Sequence, residues 1–330
     1  MSVQDDFSFS SLTPDLILDA IESLGIYPES GLIALNSYEN RVYQFIADDK
    51  KRYVVKFYRP NRWSSVQIEE EHEFAAQLAA EEIPLIAPMA LQGKTLHQYQ
   101  GYYFTLYPSV GGRSFENDNL DHLEWMGRFI GRIHLVGQKQ QFKVRPNLST
   151  DEYLKQAKHN ILASNMLPNH LETAFLAILE PLCKTAEQQF NQQKYNAFRL
   201  HGDCHAGNIL WRDGPFFVDL DDARNGPAIQ DIWMMLSGNR DQQMLQLDTI
   251  LAGYEEFCAF NAAELKLIEP LRAMRMVHYM GWIAKRWCDP AFQHSFAWFA
   301  EDKYWEQQIL SFKEQLAQLN EEPLRLMSGL

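Results

Sequence analysis

The stretch over residues 198–222 constrains the fold more than any other part of the chain: Phe-Arg-Leu-His-Gly-Asp-Cys-His-Ala-Gly-Asn-Ile-Leu-Trp-Arg-Asp-Gly-Pro-Phe-Phe-Val-Asp-Leu-Asp-Asp. It sets His201, Asp203, Asn208 and Asp219 in a fixed order. An apolar run at 209–211 and a return at 216–218 flank Asp213-Gly214, a pair that favours a tight turn, so the stretch predicts a β-hairpin. Asn208 stands at one base of that hairpin and Asp219 at the other. Two Asp and one Asn, all oxygen donors, suit a hard cation such as Mg²⁺. Two other readings stay open. One is a polar turn with solvated carboxylates. The other is a transition-metal site of His201, Asp203 and His205, although no further histidine cluster follows that spacing.

The chain has 330 residues, enough for a large core and two lobes sharing one site. Apolar and charged contents of 46% and 22% are those of an ordinary globular protein. A net charge of -13 argues against general binding to nucleic acid or to an anionic membrane. It suits a basic or cationic substrate, and solubility explains it equally well. Cys183, Cys204, Cys258 and Cys288 are scattered without metal-ligand spacing. With no signal peptide and no long apolar run, a cytoplasmic location is expected. A monomer is expected.

Taken in order, Thr13-Pro14 before an apolar-periodic run, closed by Gly25, predicts a first helix. Short aromatic and β-branched runs then predict strands at 32–35, 42–47 and 53–58. The loop 36–40 between the first two contains no glycine; Asn36 and Ser37 could offer side-chain donors there. Lys56 lies among apolar residues of the third strand and must snorkel or find an anion. Ser64 and Gln67 form a capping box for a helix over 65–82. Its 3.6-residue period puts Glu71 on the buried stripe with Ile68, Phe74, Ala75 and Leu78, so Glu71 is the expected partner of Lys56. Residues 96–99 and 102–107 read as a hairpin. The Pro and Gly residues of 108–112 then mark a hinge, with Leu106 to Ser109 offering backbone to an adenine. Helices are expected at 120–136, 151–163, 170–190, 232–236, 245–260, 263–287 and 303–319. Asp231 reads both as an N-cap and as an acid buried under the loop, accepting backbone amides near His201.

The order His201-Gly202-Asp203, four residues, Asn208, then Asp219, matches the spacing of a protein-kinase catalytic loop and its metal-binding Asp. On that spacing Asp203 accepts the proton of an attacking hydroxyl, and Asn208 and Asp219 hold Mg²⁺ against ATP phosphates. Phosphoryl transfer needs placement and charge neutralisation more than covalent chemistry, so few side chains suffice. The expected fold class is therefore α+β, bilobal and protein-kinase-like. A small β-rich, ATP-binding lobe would occupy 1–108, and a larger helical lobe with the catalytic loop and substrate site 109–330.

The His-Gly-Asp-x-His-x-Gly-Asn pattern at 201–208, with Val218-Asp219, resembles the aminoglycoside phosphotransferase and choline kinase group. The segments 35–45, 54–60, 108–113, 200–214, 218–227 and 268–275 resemble, more closely, the bacterial stress response kinases of that group. This resemblance covers nearly the whole chain. It implies a cytoplasmic serine/threonine protein kinase using ATP and Mg²⁺, active in envelope stress and survival; self-phosphorylation is expected because loop serines such as Ser37, Ser64 and Ser65 lie near the expected ATP site. It carries over Asp203 as catalytic acceptor with Asp219 beside it, and Asn208 and Asp219 as metal ligands. It also carries over Ser37, Lys56 and Glu71 at the nucleotide; Leu106 is expected there from the hinge reading, and His201 and Asp231 are expected as structural support from the loop reading. The chain departs from the protein-kinase pattern in three places. The phosphate loop lacks glycine, Gly202 stands where an arginine is usual, and the short segment before Asp231 leaves no room for a long activation loop, so control by its phosphorylation is not expected. The alternative acceptor is a choline-like or aminoglycoside-like alcohol, for which Trp233, Tyr279, Trp282 and Trp287 could form an aromatic cage. A nucleotide-binding scaffold without catalysis would not need Lys56, Asp203, Asn208 and Asp219 together.

Overall fold

A computed structural model describes residues 8–327. The chain forms two compact units. One holds residues as far as Glu116, the short segment Phe142–Arg145 and His205–Ala223; the other holds Asn117–Gln141, Pro146–Cys204 and the chain from Arg224. This differs from the division expected at 108/109. Hydrogen bonds explain the difference: Phe217 N–H donates to Pro84 O at 2.8 Å, and Ile86 N–H donates to Phe217 O at 3.1 Å. The hairpin predicted from residues 209–218 thereby joins the N-terminal unit.

The first unit is built on a five-stranded sheet in the order β1-β2-β3-β5-β4, all neighbours antiparallel. The strands are β1 (Ile33–Ala34), β2 (Arg41–Ile46), β3 (Arg52–Phe57), β4 (His97–Tyr99) and β5 (Tyr102–Pro108). Helix α1 (Pro14–Glu22) begins at Thr13, whose Oγ1 accepts the Leu16 N–H at 3.2 Å, with Pro14 in the first turn. Its Ile17, Ala20 and Ile21 pack with Phe45, Tyr53, Val55, Phe57, Phe104 and Leu106 into one core. Alternation along β3 sends Val55 and Phe57 to that core and Lys56 to the opposite face. Helix α2 (Ser65–Ala80) starts at the capping box of Ser64 and Gln67 and buries Ile68, Glu71, Phe74, Ala75 and Leu78, as its period predicted.

Beyond the sheet, β6 (Arg113–Ser114) follows the Pro/Gly segment, and β7 (Phe198–Leu200) leads into the loop that begins at His201. The predicted hairpin is present as β8 (Ile209–Trp211) and β9 (Pro215–Phe217), with β6 paired to β8. Asp213 and Gly214 both have positive φ, as a tight hairpin turn requires.

The second unit is mainly helical. Helix α3 (Leu120–Gly137) packs closely on a later helix, α7 (Arg240–Tyr254). Between them lie α4 (Ala157–Ala163), α5 (Asn169–Gln192), which continues through Pro181, and the short α6 (Gln230–Trp233). The α3–α7 approach needs glycine on both sides. A Cβ on Gly127 would stand 1.9 Å from Ile250 O, and one on Gly253 2.2 Å from Glu124 O. The helix expected at 245–260 is α7 (Arg240–Tyr254), which starts earlier because Asn239 and Gln242 form a capping box. The 151–163 segment opens as a π-helix, and the 263–287 segment opens as a 3₁₀ turn before α8 (Ile268–Arg286). Then come α9 (Pro290–Ser295) and α10 (Asp302–Gln318). Residues read as a plain connection form β10 (Arg224–Gly226), antiparallel to β7.

Candidate active site

In the second unit, β7 delivers the chain into His201-Gly202-Asp203. The His201 N–H and the Gly202 N–H each donate to Asp231 at 2.8 Å, one to each carboxylate oxygen. His134 Nε2 lies 3.1 Å from the same carboxylate, and its Nδ1 lies 3.0 Å from Tyr254 Oη. Gln230 Nε2 donates to Gly202 O at 3.0 Å. Asp231 therefore holds the loop from beneath, as the second of its two sequence readings expected. Gly202 has φ +85°, a conformation costly for arginine, which explains glycine at this position. His201 is fully buried, whereas Asp203 is partly exposed. Arg275 of α8 donates to Asp203 Oδ1 and fixes that carboxylate. Burial, with Asp231 and Asp203 close by, pushes the Cys204 thiol well up, so it stays protonated.

In the first unit, the metal-ligand candidates sit at the hairpin base. Asn208 O accepts the Val218 N–H at 3.0 Å, and Asp219 is the next residue. Asp219 has φ 62° and ψ 74°, a left-handed conformation rare outside glycine, and its side chain is 47% exposed. Lys56 Nζ donates to Asp219 Oδ1 at 2.8 Å and lies 3.3 Å from Asp221 Oδ1, an ionic contact. Burial works to lower the pKa of Lys56, but Asp219 and Asp221 outweigh it and hold it well above the usual lysine value. Asp221 is buried. Desolvation pushes its carboxyl up, while Arg62, Lys56 and Arg145 outweigh that and hold it well below the usual range.

The expected Lys56–Glu71 pair is replaced by a longer chain of charges. Glu71 Oε2 lies 3.4 Å from Arg145 Nη1, and Lys56 turns to the two aspartates instead. Burial pushes Glu71 up to about 7, against the opposing charges of Lys56 and Arg145. The neighbouring His72 is driven down to about 3, foremost by burial. It sits neutral between Tyr58 Oη (2.8 Å) and Thr95 Oγ1 (2.9 Å).

Ser37 is half-buried in the glycine-free loop. That loop is braced by arginine instead of glycine. Arg59 Nε donates to Glu39 O at 2.9 Å and Nη2 to Tyr38 O at 3.2 Å, while Arg41 Nη1 donates to Tyr38 O at 3.3 Å. Leu106 has a fully buried side chain, and its carbonyl accepts the Met89 N–H at 2.8 Å, so that carbonyl already has a donor. His205 Nδ1 accepts the Gly207 N–H at 2.9 Å, a local turn cap. Among the described residues, no three His, Cys, Asp or Glu side chains form a metal site, against the His201–Asp203–His205 reading. Of the aromatic residues weighed as a cage, Trp233 is buried under Arg272 (5.2 Å), half-buried Trp282 packs on Phe292 (4.9 Å) and Phe296, half-buried Trp287 packs on Phe299 (5.3 Å), and Tyr279 is exposed beside Trp282.

The donor set fits Mg²⁺. This ion takes one or two protein oxygens and completes its shell with water and phosphate. Asn208 and the half-exposed Asp219 would hold it; Asp221, with cations around it, is occupied. Arg62, Arg145 and Arg275 carry no local sequence signal, since each acts on a residue more than 70 positions away.

Residues 32–268 match the phosphotransferase enzyme family. The chain belongs to that family. It is 52% identical, over 97% of both chains, to stress response kinase A of Escherichia coli O157:H7. It is 51% identical, with the same coverage, to the serine/threonine protein kinase RdoA of Salmonella typhimurium (strain LT2). Among solved structures, the fold is similar to amicoumacin kinase hAmiN in complex with AMP-PNP, Ca²⁺ and Ami (TM-score 0.73, 18% identity, 94% of each chain). It is also similar to a microcompartment-associated aminopropanol kinase (TM-score 0.69, 16% identity, 94% of this chain and 100% of that one). This phosphotransferase thus has the protein-kinase-like fold expected from its loop spacing. Among the described residues, no helix is long and apolar enough to cross a membrane.

Proposed function

We propose that this phosphotransferase moves the γ-phosphate of ATP to a serine or threonine hydroxyl of a protein, in a Mg²⁺-dependent reaction serving a cytoplasmic stress response. The observation that carries the reaction type is the 2.8 Å pair between buried Lys56 and half-exposed Asp219, a cation and an anion poised for phosphate and metal. Asp203, fixed by Arg275 and by the Asp231-braced loop, accepts the hydroxyl proton as the new O–P bond forms. Lys56 draws the phosphates, and Ser37 contacts them from the braced loop. Asn208 and Asp219 would hold Mg²⁺, which when bound would neutralise charge on the transferring phosphate. His201 and Asp231 keep the catalytic loop in shape.

The protein acceptor is supported by the name of the Salmonella relative. A small alcohol is the second reading, favoured by the short segment from β10 to α6, which leaves little platform for an extended peptide. Transfer from labelled ATP into a cell extract, with protein and small-molecule fractions separated, distinguishes the two. Label on serine or threonine of a protein, this kinase included, is expected, and it should weaken as salt rises because attraction to an acidic chain is screened. Label confined to small molecules would overturn the protein reading.

A further inference from the structure

Segment Phe142–Arg145 lies in sequence between two stretches of the helical unit yet belongs to the first unit. It is fastened there at every residue. Phe142 packs edge-on against Phe74 of α2 at 5.5 Å. Glu70 of α2 accepts the N–H groups of Lys143, Val144 and Arg145 at 2.7–3.0 Å, and Gln67 Nε2 donates to Val144 O at 3.0 Å. The strap ends in the buried Arg145. Its guanidinium donates to Gln67 O at 3.1 Å, to Glu71 Oε2 at 3.4 Å, to Ala223 O at 2.7 Å and to Asp221 O. The first two acceptors lie on α2. The last two lie just past Asp219.

We propose that Arg145 is a positioning residue for phosphoryl transfer, joining α2 to segment 219–223 and so fixing where the Asp219 carboxylate stands. The proposal rests on the reading of Asp219 as a ligand of the nucleotide-bound cation. A planar guanidinium satisfies four acceptors in fixed directions, which an ammonium cannot, so the role belongs to arginine and not merely to a positive charge. In protein kinases the corresponding helix is held by a glutamate paired to the strand lysine. Here Lys56 is bound to Asp219 and Asp221, and α2 is tied through Arg145 to backbone carbonyls.

The test compares Arg145→Met, Arg145→Lys and the parent. The measurements are calorimetric binding of AMP-PNP with and without Mg²⁺, and hydrogen exchange over residues 65–72 and 219–223. Arg145→Met should weaken Mg²⁺-dependent AMP-PNP binding by about 10–100-fold, the scale for losing a residue that orients a metal-binding loop. Exchange should rise in those two segments while the helical unit keeps parent protection. Arg145→Lys should recover little. Parent affinity and local exchange in Arg145→Met, or full recovery by lysine, would overturn the inference. If Arg145→Met does not fold, Glu70→Gln loosens the strap without stranding a buried charge. It should raise exchange in the same two segments, and unchanged exchange there overturns the inference as well. Asp219→Ala serves as control. If it binds Mg²⁺·AMP-PNP like the parent, the reading of Asp219 as ligand fails, and the exchange of 219–223 still decides the role of Arg145.

Discussion

Replacing Asp231 by asparagine tests the support of the catalytic loop. The carboxylate accepts from His201 N–H and His134 Nε2 on one oxygen and from Gly202 N–H on the other. Asparagine keeps the volume but offers one acceptor and one donor. With its oxygen placed to serve His201 and His134, its NH₂ faces the Gly202 N–H, donor against donor. Two buried donors are then unpaired, at about 1–3 kcal/mol each, and the two remaining bonds lose their charge assistance. The sum is about 3–5 kcal/mol, a large part of the usual stability margin. For a unit of this size that lowers the melting temperature by about 6–20 °C. Because the loop carries Asp203, turnover of the molecules that remain folded should fall as well, by about 10²-fold for a displacement near 1 Å. Differential scanning calorimetry and phosphate-transfer rates below the new transition read both effects. A variant with the parent's melting temperature and turnover would refute the argument that Asp231 carries the loop.

Asp203→Asn should leave folding and AMP-PNP binding intact while transfer falls by about 10²–10⁴, the usual worth of a general base; a rate assay at saturating ATP checks this. Asp219→Ala should abolish the Mg²⁺ dependence of nucleotide binding. Asp221→Ala should mainly destabilise the first unit by removing the buried carboxylate that faces Arg62 and Lys56, so Mg²⁺ titration and thermal melting should rank the two variants in opposite orders. In double-mutant cycles on ATP affinity, Lys56 with Asp219 should show a larger coupling than Lys56 with Glu71, because only the first pair is in contact. Glu264 accepts the Ile229 N–H at 3.1 Å, and burial pushes its pKa up to about 7 from an ordinary 4.5. Its folded form binds the proton more tightly than the unfolded chain. Its contribution to stability is therefore complete below about pH 4.5 and is lost as pH rises through about 7. Melting curves from pH 5 to 8 should flatten in Glu264→Gln, and identical slopes in parent and variant would count against it.

Local chemistry settled much of this molecule before any folding was considered. The turn preference of Asp213-Gly214, the capping boxes at Ser64 and the start at Thr13-Pro14 act within a few residues, so they are legible in sequence. The period of α2 was enough to pick Glu71 as the buried acid among its neighbours. The spacing from His201 to Asp219 set the order of the site residues in the same way. What sequence alone could not decide is which charges meet. A buried ion seeks partners through space, and the cheapest arrangement depends on every other charge brought near it. Glu71 was the right buried acid with the wrong expected partner. Arg145 arrives from 74 positions along the chain, on a strap that carries no motif, and takes its place beside Glu71. Lys56 is then left to Asp219 and Asp221, 163 residues away for the first of them. The same holds for Arg275 on Asp203 and for the hairpin that joins the N-terminal unit through Pro84 and Ile86. Periodicity and turns fix which face of an element is buried; the tertiary structure decides what it is buried against.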